Sequence, residues 1–188
     1  MGPSIVIALI VLGLGAILLF MVVGIYNGLQ RKRIAAQTAW SDVDVQLKRR
    51  YDLIPNLVNT VKGYAGHEKG TLEAVISARQ RAIDAKGVAD QAQAENMLTQ
   101  TLGKLFALSE AYPDLKANQN FLALQEELTS TENKIGFSRQ HYNRTVSQYN
   151  EGIVVFPANM IAGMFNFQRM DFFELEDSAQ REAPKVTF

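Results

Sequence analysis

The sequence predicts an all-α protein, an N-terminal transmembrane helix followed by a long antiparallel bundle of three to four helices. Three observations carry this. Residues 1–30 contain no Lys, Arg, Asp or Glu, so all 38 charged side chains fall on the remaining 158 residues. Beyond Arg33 apolar residues recur at intervals of three and four, the period of a helix with one buried face. No sustained alternation of strand type interrupts that pattern.

The first element is the run IVIALIVLGLGAILLFMVVGI, Ile5 to Ile25, 21 residues without charge, amide or proline. At 1.5 Å per residue it rises about 30 Å, the thickness of a bilayer's hydrocarbon core. It is apolar on every face, unlike an ordinary soluble helix. A cleaved signal peptide fits less well: no basic residue precedes the run, it is long for an h-region, and no small-x-small cleavage site follows. The expectation is an uncleaved signal anchor spanning residues 5–25. Arg31, Lys32, Arg33, Lys48, Arg49 and Arg50 follow the span and nothing basic precedes it, so the positive-inside rule puts the N-terminus outside and the large domain in the cytoplasm. Tyr26 and Asn27 take the interfacial positions, with Arg31, Lys32 and Arg33 as the headgroup contacts. Gly24 and Gly28 form a small-xxx-small pair suited to close helix association.

The next stripe is Ala36, Trp40, Val43, Leu47 and Tyr51, and the anchor can run into it without interruption. Pro55 then predicts a new start, with Asp52 in the N-cap region and the proline just inside a second helix that carries Leu57, Val61, Tyr64, Leu72, Val75, Arg79 and Ile83. Gly63, Gly66 and Gly70 would loosen that helix, and Gly87 would end it. A third stripe, Leu98 to Tyr112, stops at Pro113. The fourth, from Phe121 through Leu128, Ile135, Tyr142 and Tyr149 to Ile153, would extend about 55 Å if continuous from Leu115 to Gly152. Stripes of this length are buried by antiparallel packing.

After Pro157 the segment PANMIAGMFNF predicts a brief apolar hook. Pro157, Met160, Ile161, Met164 and Phe165 would seal neighbouring copies, or lie in a membrane interface. Residues 166–188, with three basic and five acidic side chains and no helical period, read as a flexible tail in which Phe172 and Phe173 form a docking pair. The expected organisation is therefore an anchor over 1–30, a cytoplasmic helical-bundle domain over 31–165 and a tail over 166–188.

The run AWSDVDVQLKRRYDLIPNLVNTVKGYAGHE, Ala39 to Glu68, resembles the signature of the LemA family. So do YPDLKANQNFLALQEELTSTENKI, Tyr112 to Ile135, and SRQHYNRTVSQYN, Ser138 to Asn150, in the same order and spacing. The anchor followed by YNGLQRKR completes the pattern, which covers about residues 1–167. The resemblance implies a helical-bundle cytoplasmic domain on a single-pass, N-out anchor in the bacterial inner membrane. It carries no established enzyme activity. Members often occur beside membrane-associated metalloproteases or TPM-domain membrane proteins, which is a clue to partners.

Composition and motifs narrow the chemistry. Zero net charge argues against nucleic acid as a partner. The lack of cysteine excludes disulfides, thiolate zinc sites and cysteine nucleophiles. His67-Glu68 lacks the second histidine one turn on that a zincin needs, and His141 stands alone. There is no GxSxG elbow, Walker loop or GxGxxG turn, so no catalytic residue and no cofactor are expected. Asp42, Asp44 and Asp52 would join Arg49, Arg50 and Arg139 in a polar layer that sets helix register. An enzyme reading would need Asp42, Asp44, Glu126, Glu127 and Glu132 to line one open groove. The leading expectation is a non-enzymatic, membrane-anchored scaffold, a homo-oligomer on the lipid bilayer. The alternative is a regulatory module that binds a membrane protease or an envelope signalling system.

Overall fold

The computed structural model describes residues 2–174, and among them every regular element is a helix: α1 (Pro3–Tyr64), α2 (Lys69–Asp84), α3 (Val88–Ser109), α4 (Pro113–Lys116), α5 (Gln119–Gly152) and α6 (Ala158–Met164). The all-α class with a long apolar N-terminal helix is as predicted. No side chain described between Val6 and Val23 is buried, and Phe20 is 76% exposed. The apolar run and the first soluble stripe form one unbroken helix.

The break predicted at Pro55 is absent: α1 continues through the proline to Tyr64. A proline inside a helix removes the N–H that would bond the carbonyl four residues back, here that of Tyr51. The Nε of Arg79 on α2 donates to that carbonyl at 2.8 Å, so the missing bond is replaced from a neighbouring helix. The chain turns instead at Ala65–Glu68. The predicted second helix is therefore divided, its first part belonging to α1 and its second forming α2. Gly87, with φ +82°, makes the turn into α3 in a backbone region closed to most side chains. The predicted continuous helix from Leu115 is interrupted at Asn118, whose Oδ1 accepts the Phe121 N–H at 3.0 Å and caps α5.

The chain forms two compact units. One comprises the described residues up to Trp40 together with His141–Met170. Within it α1 and α5 lie antiparallel: Leu29 packs with Tyr149 and Ile153, and Trp40 meets Tyr142 ring to ring, centroids 5.2 Å apart. Ala36 and Ala39 are fully buried, small enough for the two backbones to approach. A Cβ on Gly152 would stand 3.2 Å from Leu29 Cδ2 and 3.1 Å from Lys32 Nζ, so this crossing favours glycine. Beyond it α6 folds back, placing Ala162 and Phe167 in a core with Leu29, Tyr149 and Ile153.

Part of the predicted tail is fixed to this unit. Asn150 donates through Nδ2 to the Met170 carbonyl and accepts the Met170 N–H at Oδ1, both at 2.9 Å. The Tyr149 hydroxyl donates to the Gln168 carbonyl at 2.8 Å.

The second unit comprises Ser41–Gln140 and, of the described residues, Asp171 onward. The latter half of α1 packs there with α2, α3 and α5. Its core includes Leu47, Ile54, Leu57, Val75, Leu98, Leu105, Leu115 and Phe121. Phe173 is buried in its own right, whereas Phe172 is 39% exposed, so the two do not act as an exposed pair. The remainder of the predicted tail, residues 175–188, lies outside the described residues.

Candidate functional site

The second unit contains a buried polar cluster. On α1, Val43, Leu47, Arg50 and Ile54 fall on one inward stripe, which carries the Arg50 guanidinium into the bundle while Arg49 faces out. On α3 the stripe Leu98, Leu102, Leu105 extends back through Glu95. Arg50 and Glu95 are 3% and 2% exposed. Arg50 Nη1 pairs with Oε2 of Glu95 and Oε2 of Glu132, each at 3.1 Å, and its Nη2 donates to Thr99 Oγ1 at 2.7 Å. The Tyr51 hydroxyl donates to Glu95 Oε1. Gln91 Nε2 reaches the same Oε1 at 3.1 Å, the Tyr51 hydroxyl at 2.8 Å and the Ala82 carbonyl at 3.0 Å.

Burial sets the electrostatics. Loss of solvent raises the Glu95 carboxyl above its ordinary range, and the donors Tyr51, Arg50 and Gln91 offset this only in part. Burial and the Glu95 charge raise the Tyr51 phenol well above its usual value, so it stays protonated as a donor. Each residue of this set meets a partner on another helix or one turn away. The arrangement links α1, α3 and α5 through one set of side chains.

The sequence expected a different membership. Asp42, Asp44 and Asp52 are exposed and Arg139 is half-buried; none of the four belongs to the Arg50 cluster. The three aspartates stand on the exposed part of α1, where a charge keeps its water. Arg49 makes a 2.6 Å pair with Glu127, with side chains 48% and 43% exposed. Glu95, Gln91, Thr99 and Glu132, which complete the cluster, were legible only as positions in phase with buried leucines. Glu127 and Glu132 line separate grooves, and neither groove takes in Asp42, Asp44 or Glu126. The groove beside Arg50 and Glu132 encloses about 240 Å³ and is walled by Leu102, Phe106 and Leu128. His67 and His141 are both exposed. Among the described residues no three His, Cys, Asp or Glu side chains gather in a group able to hold a metal.

In the first unit, Asn27, Arg31, Lys32 and Arg33 are exposed on α1 directly after the apolar run. Gly24 and Gly28 are exposed too, with nothing within 4 Å of where a Cβ would stand. Tyr26 is half-buried: its ring lies 4.8 Å from that of Phe165 and 5.7 Å from that of Phe167, and its hydroxyl accepts from Gln30 Nε2 at 3.1 Å. Of the predicted hook residues, Met160, Met164 and Phe165 are exposed, Pro157 is half-buried, and Ile161 is buried beneath them.

A family model described as LemA family matches residues 39–188. Protein LemA of Metamycoplasma hominis is 26% identical over 160 residues, covering 84% of this chain and 73% of that protein. Magnetosome protein MamQ of Magnetospirillum gryphiswaldense is 24% identical over 174 residues, covering 79% of this chain and 64% of its own length. Magnetosome protein MamQ 2 of Paramagnetospirillum magneticum, 24% identical over 175 residues, gives the same coverage, 79% and 64%. The chain thus spans less than two thirds of the MamQ proteins it matches.

Proposed function

This chain belongs to the LemA family, and from that premise we propose that it is a non-enzymatic, membrane-anchored helical scaffold that self-associates at the cytoplasmic face of the bacterial inner membrane. The observation that carries the reading is the apolar part of α1. It is long enough to cross a bilayer, uncovered by the other described residues, and part of the same unbroken helix that enters the bundle. Water on such a surface is costly at about 25 cal/mol per Å² of apolar area, and lipid removes that cost. The basic residues Arg31, Lys32 and Arg33 at the end of the run support a cytoplasmic bundle.

Self-association follows from confinement. Copies held in one membrane meet at a raised effective concentration, so weak lateral contacts suffice. The open glycine edge at Gly24 and Gly28 supplies a close-approach surface next to the bilayer boundary. Extraction of the full chain in mild detergent, followed by native electrophoresis, should give assemblies larger than a monomer. Leucine at both glycines should reduce them. Monomers alone at every protein concentration would end the self-association reading while leaving the anchor intact.

A second reading has one observation in its favour. The groove walled by Leu102, Phe106 and Leu128 and edged by Arg50 and Glu132 suits an apolar segment with a charged flank. This reading casts the bundle as a regulatory module for a membrane protease or an envelope signalling protein. Crosslinking in intact membranes separates the two, since it should capture a different protein where the scaffold captures copies of itself.

A further inference from the structure

We propose that residues 153–167 form a second lipid-contacting element, a folded foot that enters the headgroup–hydrocarbon boundary beside the end of the anchor. The proposal rests on the reading that the apolar run of α1 spans a bilayer. Residues 152–168 form a stretch of 17 without Lys, Arg, Asp or Glu, bounded by Glu151 and Arg169. This stretch is folded, because Ile161, Ala162 and Phe167 are buried. Most of what residues 153–167 leave outside is apolar, with Asn159 and Asn166 the exposed polar side chains: Phe156 is 79% exposed, Met164 76% and Met160 62%.

The Tyr26 contacts determine where this surface sits. Tyr26 directly follows the apolar run, and its ring touches those of Phe165 and Phe167. A tyrosine ending a membrane span sits at headgroup depth, with its ring at the edge of the hydrocarbon. Phe165 is therefore held at the same depth by direct contact, and Met164 is its neighbour in the chain. Lys32 adds a matching charge: its side chain passes over Gly152, directly before the foot, and its ammonium is available to lipid phosphates. An apolar surface with a cationic rim, continuous with a membrane span, matches an interfacial lipid-binding element. The bilayer is the occupant that this continuity selects.

The chain contains no cysteine, so single-cysteine variants can carry a nitroxide without background labelling. Phe156→Cys, Met160→Cys and Met164→Cys report the foot, Phe20→Cys the anchor and Lys134→Cys an exposed position of the other unit. Each full-length variant is placed in vesicles of phosphatidylcholine and phosphatidylglycerol. Collision of the nitroxide with oxygen is compared with collision with a water-soluble nickel chelate, and circular dichroism checks the fold. The expected result is oxygen in excess at all three foot positions, less strongly than at position 20, and nickel in excess at position 134. Nickel in excess at the foot with oxygen in excess at position 20 would overturn the proposal and leave the anchor standing. Shielding of the foot from both agents, with spin–spin broadening between copies, would overturn it in favour of a chain-to-chain contact. Nickel in excess at position 20 itself would remove the anchor reading and this proposal together.

Discussion

The Nε–H of Arg79 donates to the main-chain carbonyl of Tyr51 at 2.8 Å, occupying the acceptor that Pro55 leaves without a helical partner. This one bond explains why a 62-residue helix passes through a proline. Arg79→Met keeps much of the aliphatic stem and removes the donor, leaving the carbonyl unsatisfied at a cost of about 1–3 kcal/mol. Pro55→Ala restores a local N–H, so it should recover part of the loss in the Arg79→Met background and gain less in the wild type. Thermal melts of the four proteins in detergent close the cycle. Additive effects would mean that the two residues are not coupled.

Arg50 and Arg49 are adjacent in sequence and opposite in environment. Arg50→Met would leave the Glu95 charge buried without its cation, a change that costs about 3–5 kcal/mol. Arg49→Met breaks only the exposed pair with Glu127, where about 0–1 kcal/mol is at stake. Chemical unfolding of the two variants beside the parent should show one large and one small loss. Equal losses would contradict the burial difference.

The physical reason for that contrast also shows how much could be read from the chain alone. The helical class and the apolar anchor were legible because period and composition are local properties. Val43, Leu47 and Leu98 follow the predicted stripes inward for the same reason. Arg50 lies three residues after Leu47, and Glu95 three before Leu98, so both were in phase with the core and only their charge argued otherwise. Asp42 and Asp52 were out of phase and remain in water, and Asp44 remains there too although it lies three residues before Leu47. The helix through Pro55 was not legible, since its replacement donor lies on another helix. Nor was the fixing of residues 168–170, which depends on Tyr149 and Asn150 meeting backbone that carries no side-chain pattern.

The raised Glu95 carboxyl gives stability a definite pH dependence. Unfolded, this group titrates in the ordinary glutamate range; folded, it holds its proton to higher pH. Its contribution is then fully present below the ordinary range and is lost as pH rises through the raised value. Glu95→Gln removes the titration. The melting temperature of the wild type relative to that variant should therefore improve as pH is lowered from about 8 to about 5. A difference that stays flat, or moves the other way, would show that the donors around Glu95 outweigh its burial.

The anchor reading makes a prediction in which the number of substitutions matters. Fifteen of the 21 residues from Ile5 to Ile25 are Ile, Leu, Val or Phe. At about −0.3 to −0.6 kcal/mol each they favour insertion by roughly 5–9 kcal/mol. One arginine near the centre, Leu14→Arg, reverses about 3–4 kcal/mol of this and should leave the protein in the membrane pellet after alkaline extraction. A second, Ile17→Arg, brings the balance close to zero, so the double variant should divide between pellet and supernatant. If water covered this helix instead, each arginine would merely replace an exposed apolar side chain. Neither variant would then change the partition, and the absence of a step between one and two substitutions would refute the span.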